Sequence, residues 1–174
     1  MTDRWRTDIE DAIRRFLAEN PSLTGAVDVE FLPAPHRPPS RLPEGKMGVY
    51  GFCREDCWLK VGKAGPKSQP RWTSHHYWGC ALSTLSGSLR SDPQMKAKVG
   101  SDRSQVRDWI IRSTHRVNIL LPAGLGRAPL SCLEGFLIAR LRPRYEGRRT
   151  LSLSPYMPCL ALTRASKSQG GTRV

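Results

Sequence analysis

Two short apolar runs constrain this chain more than any other feature. They are residues 47–52 (MGVYGF) and 57–62 (CWLKVG), separated by Cys53, Arg54, Glu55 and Asp56. Each is rich in Val, Tyr, Phe or Trp, and each is too short for a helix. The polar residues between them leave room only for a tight turn, so the pair predicts a β-hairpin. A two-stranded hairpin is not stable alone in water, so other segments must cover it.

The remaining pattern supplies those segments. Trp5, Ile9, Ile13, Phe16 and Leu17 recur at helical spacing over residues 3–19, and Asn20-Pro21 stops that helix. Residues 26–32 (AVDVEFL) read as a short strand, and the Pro-rich stretch 33–45 as a stiff arm. A helix from about Gln69 to Tyr77 would carry Arg71 and His75 one turn apart on one face. Residues 82–93 are ambiguous and 91–103 read as loop. Residues 104–113 fit a helix with Val106, Trp109 and Ile110 inward, and 115–122 fit a strand. Residues 128–141 fit a second strong helix that stops at Arg142-Pro143. The expected fold is an α/β (α+β) sandwich: a small three-stranded antiparallel sheet flanked by helices. The expected domain spans 46–150, preceded by a helix and arm (1–45) and followed by a basic extension (151–174).

Charge narrows the function. Lys and Arg number 28 against 15 Asp and Glu, a formal net charge of +13. A chain this basic expects a polyanionic partner. No apolar run approaches the ~18 residues that would span a bilayer, and the N-terminus lacks the apolar region of a secretion signal. A cytoplasmic location is therefore expected. Five cysteines at irregular spacing do not resemble a disulfide framework and read as reduced thiols.

Taken singly, the polar groups near the hairpin have ordinary explanations. Tyr50 could be a half-buried strand residue, and Lys60 the solvent face of its strand. Arg71 and His75 could lie on an exposed helix face, with His76 at the surface. Glu134 follows Ser131 at the S-x-x-E spacing of a helix capping box. Taken in order, they form a set. Gly48-Val49-Tyr50 is followed by Lys60-Val61-Gly62-Lys63, then Arg71-x-x-x-His75, and much later by Glu134 in CLEGFLIARLRPRY.

This order resembles the GIY-YIG nuclease family over roughly residues 46–147. Gly48-Val49-Tyr50 matches the first half of the family's name motif, and Lys60-Val61-Gly62 stands where the second half is expected. Two residue departures are plain: Lys60 replaces the usual second Tyr, and Glu146 stands where an Asn is common. The stretch between His75 and Glu134 is also longer than a minimal domain of this kind needs.

The resemblance implies a GIY-YIG-like fold and a metal-dependent endonuclease, of a restriction type in the reading best suited to so compact a chain. Tyr50, Lys60, Arg71, His75 and Glu134 would be its catalytic residues, and Glu134 would hold Mg²⁺ or Mn²⁺. Arg71 suits a phosphate oxygen, and Tyr50 would position or activate water. Lys60, beside an arginine and a cation, could act as a base, aid Tyr50 or bind phosphate. Lys63 and the run Arg140, Arg142, Arg144, Arg148 and Arg149 would contact the nucleic-acid backbone. DNA is the expected partner, with RNA also open, and a cut through both strands implies a homodimer. Two other readings remain. One is a nuclease-like fold that binds without cutting. The other is a zinc-stabilised module built on Cys53 and Cys57 with His75, His76 or Cys80.

Overall fold

A computed structural model describes residues 4–146 of the chain. It contains seven helices and one four-stranded sheet among those residues: α1 (Arg4–Glu19), β1 (Asp28–Leu32), β2 (Lys46–Arg54), β3 (Cys57–Ala64), α2 (Gln69–Thr73), α3 (His75–Trp78), α4 (Leu85–Ser91), α5 (Pro93–Val99), α6 (Arg103–Ser113), β4 (His115–Pro122) and α7 (Arg127–Leu141). The mixed α/β class holds, but the sheet has four strands, not three. Its order is β1-β4-β2-β3 and every pairing is antiparallel.

The extra strand is β1, which pairs with β4 from Asp28↔Leu120 to Leu32↔Arg116. It comes from the segment expected to stand outside the domain. The boundary expected near Lys46 therefore separates no core from another. Trp5, Ile9, Ala12, Ile13 and Phe16 of α1 are buried against one sheet face, together with Leu130, Leu133 and Leu137 of α7. The Pro-rich arm is also packed. His36 is buried; its Nδ1–H donates to Thr114 O (2.8 Å) and its Nε2 accepts from the Tyr77 hydroxyl (2.9 Å), and Leu42 further along the arm is also buried.

The sheet is covered on both faces. Side chains alternate along β2: Met47 and Val49 point to the α1/α7 side, while Tyr50 and Phe52 point to a second core. That second core is closed by Trp72, Tyr77, Leu85, Leu89, Met95, Val99, Val106 and Ile110, contributed by α2 to α6. Residues 82–103, expected to be ambiguous or loop, hold α4 and α5. Both helices are capped: Thr84 accepts the Gly87 N–H, and Asp92 accepts the N–H groups of Gln94 and Met95, with Pro93 as the first helical residue.

The β3 edge is covered unevenly. After α7 the chain runs back beside it, where Arg144 N donates to Trp58 O (2.9 Å) and Tyr145 N to Leu59 O (3.0 Å). Glu146 then accepts the Val61 N–H (3.0 Å). This protects the first half of an edge strand that would otherwise offer unpaired donors and acceptors. The second half, from Gly62 to Ala64, lies beside the cleft described next.

Candidate active site

The cleft has a volume of about 270 Å³ and is lined by Lys63, Gly65, Ser68, Arg71, Arg127, Leu130, Ser131 and Glu134. It forms where the two helical layers meet at the end of the sheet. Arg71 arrives from α2 on one face. Arg127, Ser131 and Glu134 arrive from the first half of α7 on the other. Three cationic side chains thus face one carboxylate.

Tyr50 stands directly behind this wall. It is fully buried, and its ring lies flat across Gly62, its partner in the β2–β3 register. A Cβ at position 62 would sit 2.7 Å from the Tyr50 oxygen and 2.9 Å from its ring. Only glycine permits that approach, which is the physical reason for a glycine at this place in the strand. Gly48 does the same for Trp72, whose ring would lie 2.6 Å from a Cβ there.

Two donors meet at the Tyr50 oxygen. Arg71 Nε lies 3.2 Å away and also donates to Lys63 O at 3.1 Å. His76 Nε2 lies 2.5 Å away. The other ring nitrogen of His76, Nδ1, accepts the Leu85 N–H at 3.2 Å. A neutral imidazole with Nδ1 accepting carries its proton on Nε2, so His76 donates to Tyr50. Its neutrality has a clear cause. Burial, together with the charges of Arg116 and Arg71, holds His76 well below the ordinary imidazole range. With two hydrogen bonds received, the Tyr50 oxygen is left to direct its own proton elsewhere. Burial pushes the phenol up to about 12, opposed by Arg71 and Arg116, so Tyr50 is a neutral phenol at physiological pH.

Sequence reading took His75, not His76, as the catalytic histidine and put His76 at the surface, whereas His76 is the one that bonds Tyr50. The helix over 69–77 is in fact two helices. Thr73 and Ser74 hydroxyls donate back to Gln69 O and Pro70 O, and Ser74 leaves helical geometry at φ −131°. Such back-bonding favours a break. Across the break His76 keeps the i, i+4 spacing to the buried Trp72 and is itself buried on Tyr50, while His75 opens α3 half-buried.

Glu134 lies two turns into α7 with its side chain 19% exposed. Because α7 begins at Arg127, Ser131 and Glu134 form no capping box. Glu134 Oε2 instead meets Lys63 Nζ at 2.7 Å, and Lys63 also donates to Ser131 Oγ at 3.0 Å. That contact uses one carboxylate oxygen and leaves Oε1 for a second cation. Were a divalent cation held here, Glu134 would be its carboxylate ligand, and Mg²⁺ or Mn²⁺, which keep several waters and take further oxygens from a substrate, would suit so small a ligand set. Such a set does not fit zinc. Among the described residues no three His, Cys, Asp or Glu side chains gather to hold a metal, so Cys53, Cys57, Cys80, His75 and His76 form no such site.

Lys60 does not line the cleft. It is 1% exposed and points to the Tyr50 side of the sheet, but its ammonium is fully engaged. It meets Glu146 Oε1 at 3.1 Å and donates to Tyr145 O (2.8 Å) and Ser83 Oγ (3.2 Å). It ties β3 to the loop before α4 and to the segment after α7. The two departures from the family pattern, Lys60 and Glu146, are thus partners of each other.

The basic run after Glu134 is dispersed. Arg140 pairs with Asp11 of α1 at 3.5 Å, Arg144 pairs with Asp92 at 2.7 Å, and Arg142 caps α7 in the left-handed region, exposed. Arg148 and Arg149, and the extension from 151, lie outside the described residues. The cation that sequence reading missed is Arg127, which enters the cleft from the start of α7 and forms no ion pair among the described residues. No local signal marks it, because its place depends on where α7 begins. No helix among the described residues is long and apolar enough to cross a membrane. Comparison of the chain with protein-family models, with curated proteins and with solved structures found no match.

Proposed function

We propose that this protein is a metal-dependent endonuclease of GIY-YIG type that hydrolyses DNA phosphodiester bonds at the cleft. The observation that carries the reading is the meeting of Tyr50, Arg71, Lys63 and Glu134 at one end of β3, from opposite layers and distant parts of the chain.

Hydrolysis forms one P–O bond from water and breaks one ester P–O bond. The attacking water must lose a proton, the departing oxygen must gain one, and the phosphorus must carry extra negative charge between. Arg71 and Arg127 supply fixed positive charge for that interval, and the planar guanidinium of Arg71 suits two phosphate oxygens at once. A divalent cation held by Glu134 would add Lewis-acid stabilisation there. Lys63, now on Glu134, is free to move to the phosphate when that carboxylate takes a cation. As Arg71 turns toward phosphate, it uncovers the Tyr50 oxygen. To act as base the phenol first releases its own proton to solvent, a loss that the positive charge gathered around it favours. The phenolate, still held by the His76 N–H, then orients the attacking water and takes its proton, and solvent water returns a proton to the departing oxygen. One cleft cuts one strand, so a cut through both strands at one place takes two copies of the chain.

A second reading rests on the Lys63–Glu134 pair. If the ammonium keeps the carboxylate closed, the cleft binds phosphate without cutting. Cleavage of supercoiled plasmid in Mg²⁺ or Mn²⁺ separates the two. The nuclease reading expects nicking by wild type and a loss of at least about a hundredfold in Glu134→Gln and in Tyr50→Phe, a size typical of lost acid–base groups, with circular dichroism unchanged. Binding by all three proteins with no nicking by any would favour the non-cutting binder.

A further inference from the structure

Arg116 of β4 is 1% exposed, yet no carboxylate among the described residues forms an ion pair with it. Its guanidinium is held by neutral groups. Nε donates to Asn118 Oδ1 (2.8 Å), Nη1 to the Tyr77 hydroxyl (3.1 Å) and Nη2 to Trp72 O (2.9 Å). Four aromatic rings surround it, with Cζ 5.1 Å from the Trp72 centroid, 5.3 Å from those of Tyr50 and Phe52, and 5.8 Å from that of Tyr77. Its nearest route to negative charge is indirect: Asn118 Nδ2 donates to Glu30 Oε2 (2.9 Å) at the far, exposed edge of the sheet. A permanently charged group in such a place is costly to fold, and an apolar side chain would fill the same space more cheaply.

We propose that Arg116 is a positioning residue of the cleft: a fixed cation beneath the Tyr50 ring that favours negative charge on the Tyr50 oxygen during catalysis. The proposal rests on the nuclease reading for its catalytic part. Its electrostatic part concerns Tyr50 alone. The charged groups acting on that phenol are Arg71, Arg116 and Glu134, and its partner His76 also feels Lys60 and His75. Arg71 is expected to leave for the phosphate, Lys60 is neutralised by Glu146, and Glu134 is opposed by Lys63. Arg116 is the cation on this face that stays in place through a turnover.

The test reads the phenol directly and the reaction separately. A fluorinated tyrosine at position 50, whose more acidic phenol titrates where the protein is stable, is followed by its ¹⁹F signal. The pH dependence of plasmid nicking is measured alongside, in wild type, Arg116→Lys, Arg116→Gln and the exchange Asn118→Asp with Glu30→Gln. The exchange conserves net charge and both hydrogen bonds but places a carboxylate on the guanidinium. Arg116→Gln and the exchange are each expected to raise the phenol titration by about one pH unit, a tenfold shift, and to move the rising limb of the rate profile with it. Arg116→Lys should keep most of both. Should Arg116→Gln not fold, the exchange decides alone. An unmoved titration in the folded variants, or equal loss of rate in Arg116→Lys and Arg116→Gln at an unchanged profile, would assign Arg116 to packing and overturn the proposal. A titration that moves as expected in a protein that nicks nothing would uphold the electrostatic role while sinking the nuclease reading.

Discussion

Tyr50 and Gly62 form one unit, since the phenol reaches the cleft wall only because residue 62 has no side chain. Gly62→Ala places a methyl 2.7 Å from a buried phenol oxygen that is held from two sides. The ring cannot swing away without breaking its bonds to His76 and Arg71. Overpacking of this kind costs typically ~1–3 kcal/mol. Gly62→Ala is therefore expected to lower the unfolding free energy measured by urea titration by that much and to reduce nicking far more than the stability loss accounts for, because it moves the phenol. Equal and modest losses of both would show that Tyr50 has no exacting position to keep. At this scale the sequence was legible where a residue's role depends on its neighbours in the chain. Tyr50, Arg71, Lys63 and Glu134 all reach the cleft or its wall. Legibility failed where the role depends on a long-range partner. Lys60 reads as a catalytic substitution until Glu146, far along the chain, is seen to neutralise it. Arg116 reads as a strand residue until four rings close around it.

The helices show a different limit. Amphipathic spacing marks α1, α6 and α7 clearly, because each lays one long stripe on the sheet or its covering layer. Helices α2 to α5 have seven residues or fewer, too short for a stripe to repeat. Their signals are caps, and Asp92-Pro93 reads equally as a stop or as the start of α5. Asp92 turns out to hold several elements together. It caps α5 and accepts Arg144 Nη2 and the Tyr145 hydroxyl, each at 2.7 Å. Burial pushes its carboxyl up, but the Tyr145 hydroxyl, Arg144 and the two backbone N–H groups outweigh that and hold it below the usual carboxylate range. A lowered native value means stability that is present above the unfolded value near ~3.9 and lost as pH falls through the native one. Asp92→Asn keeps a capping side chain but forfeits the charge. It is expected to cost about 1 kcal/mol at pH 7, with the urea midpoints of the two proteins converging as pH drops below about 4. A constant gap down to pH 2 would show that the ionised carboxylate contributes nothing.

Over the whole molecule the net charge of +13 says that a polyanion is attracted, but not where it binds. Many of the cations are already matched. Arg4, Arg6, Arg14 and Arg15 of α1 face Asp8, Glu10 and Asp11 on the same helix, Arg140 joins Asp11, and Arg144 joins Asp92. Around the cleft the balance differs, because Lys63, Arg71 and Arg127 share only Glu134. If DNA is bound there, the salt dependence of its affinity reports which cations touch phosphate, each contact releasing about 0.9 counterion. Arg127→Gln should weaken binding and flatten the plot of log affinity against log salt by about 0.9. Arg140→Gln, which removes a cation already paired with Asp11, should weaken binding less and leave the slope nearly unchanged. Fluorescence anisotropy of a labelled duplex in Ca²⁺, at several salt concentrations, measures both. Equal slopes for wild type and Arg127→Gln would move the DNA away from this cleft and put the polyanion surface elsewhere on the chain. A flattened slope would tie the molecule's excess charge to the one place where Tyr50, Arg71 and Glu134 converge.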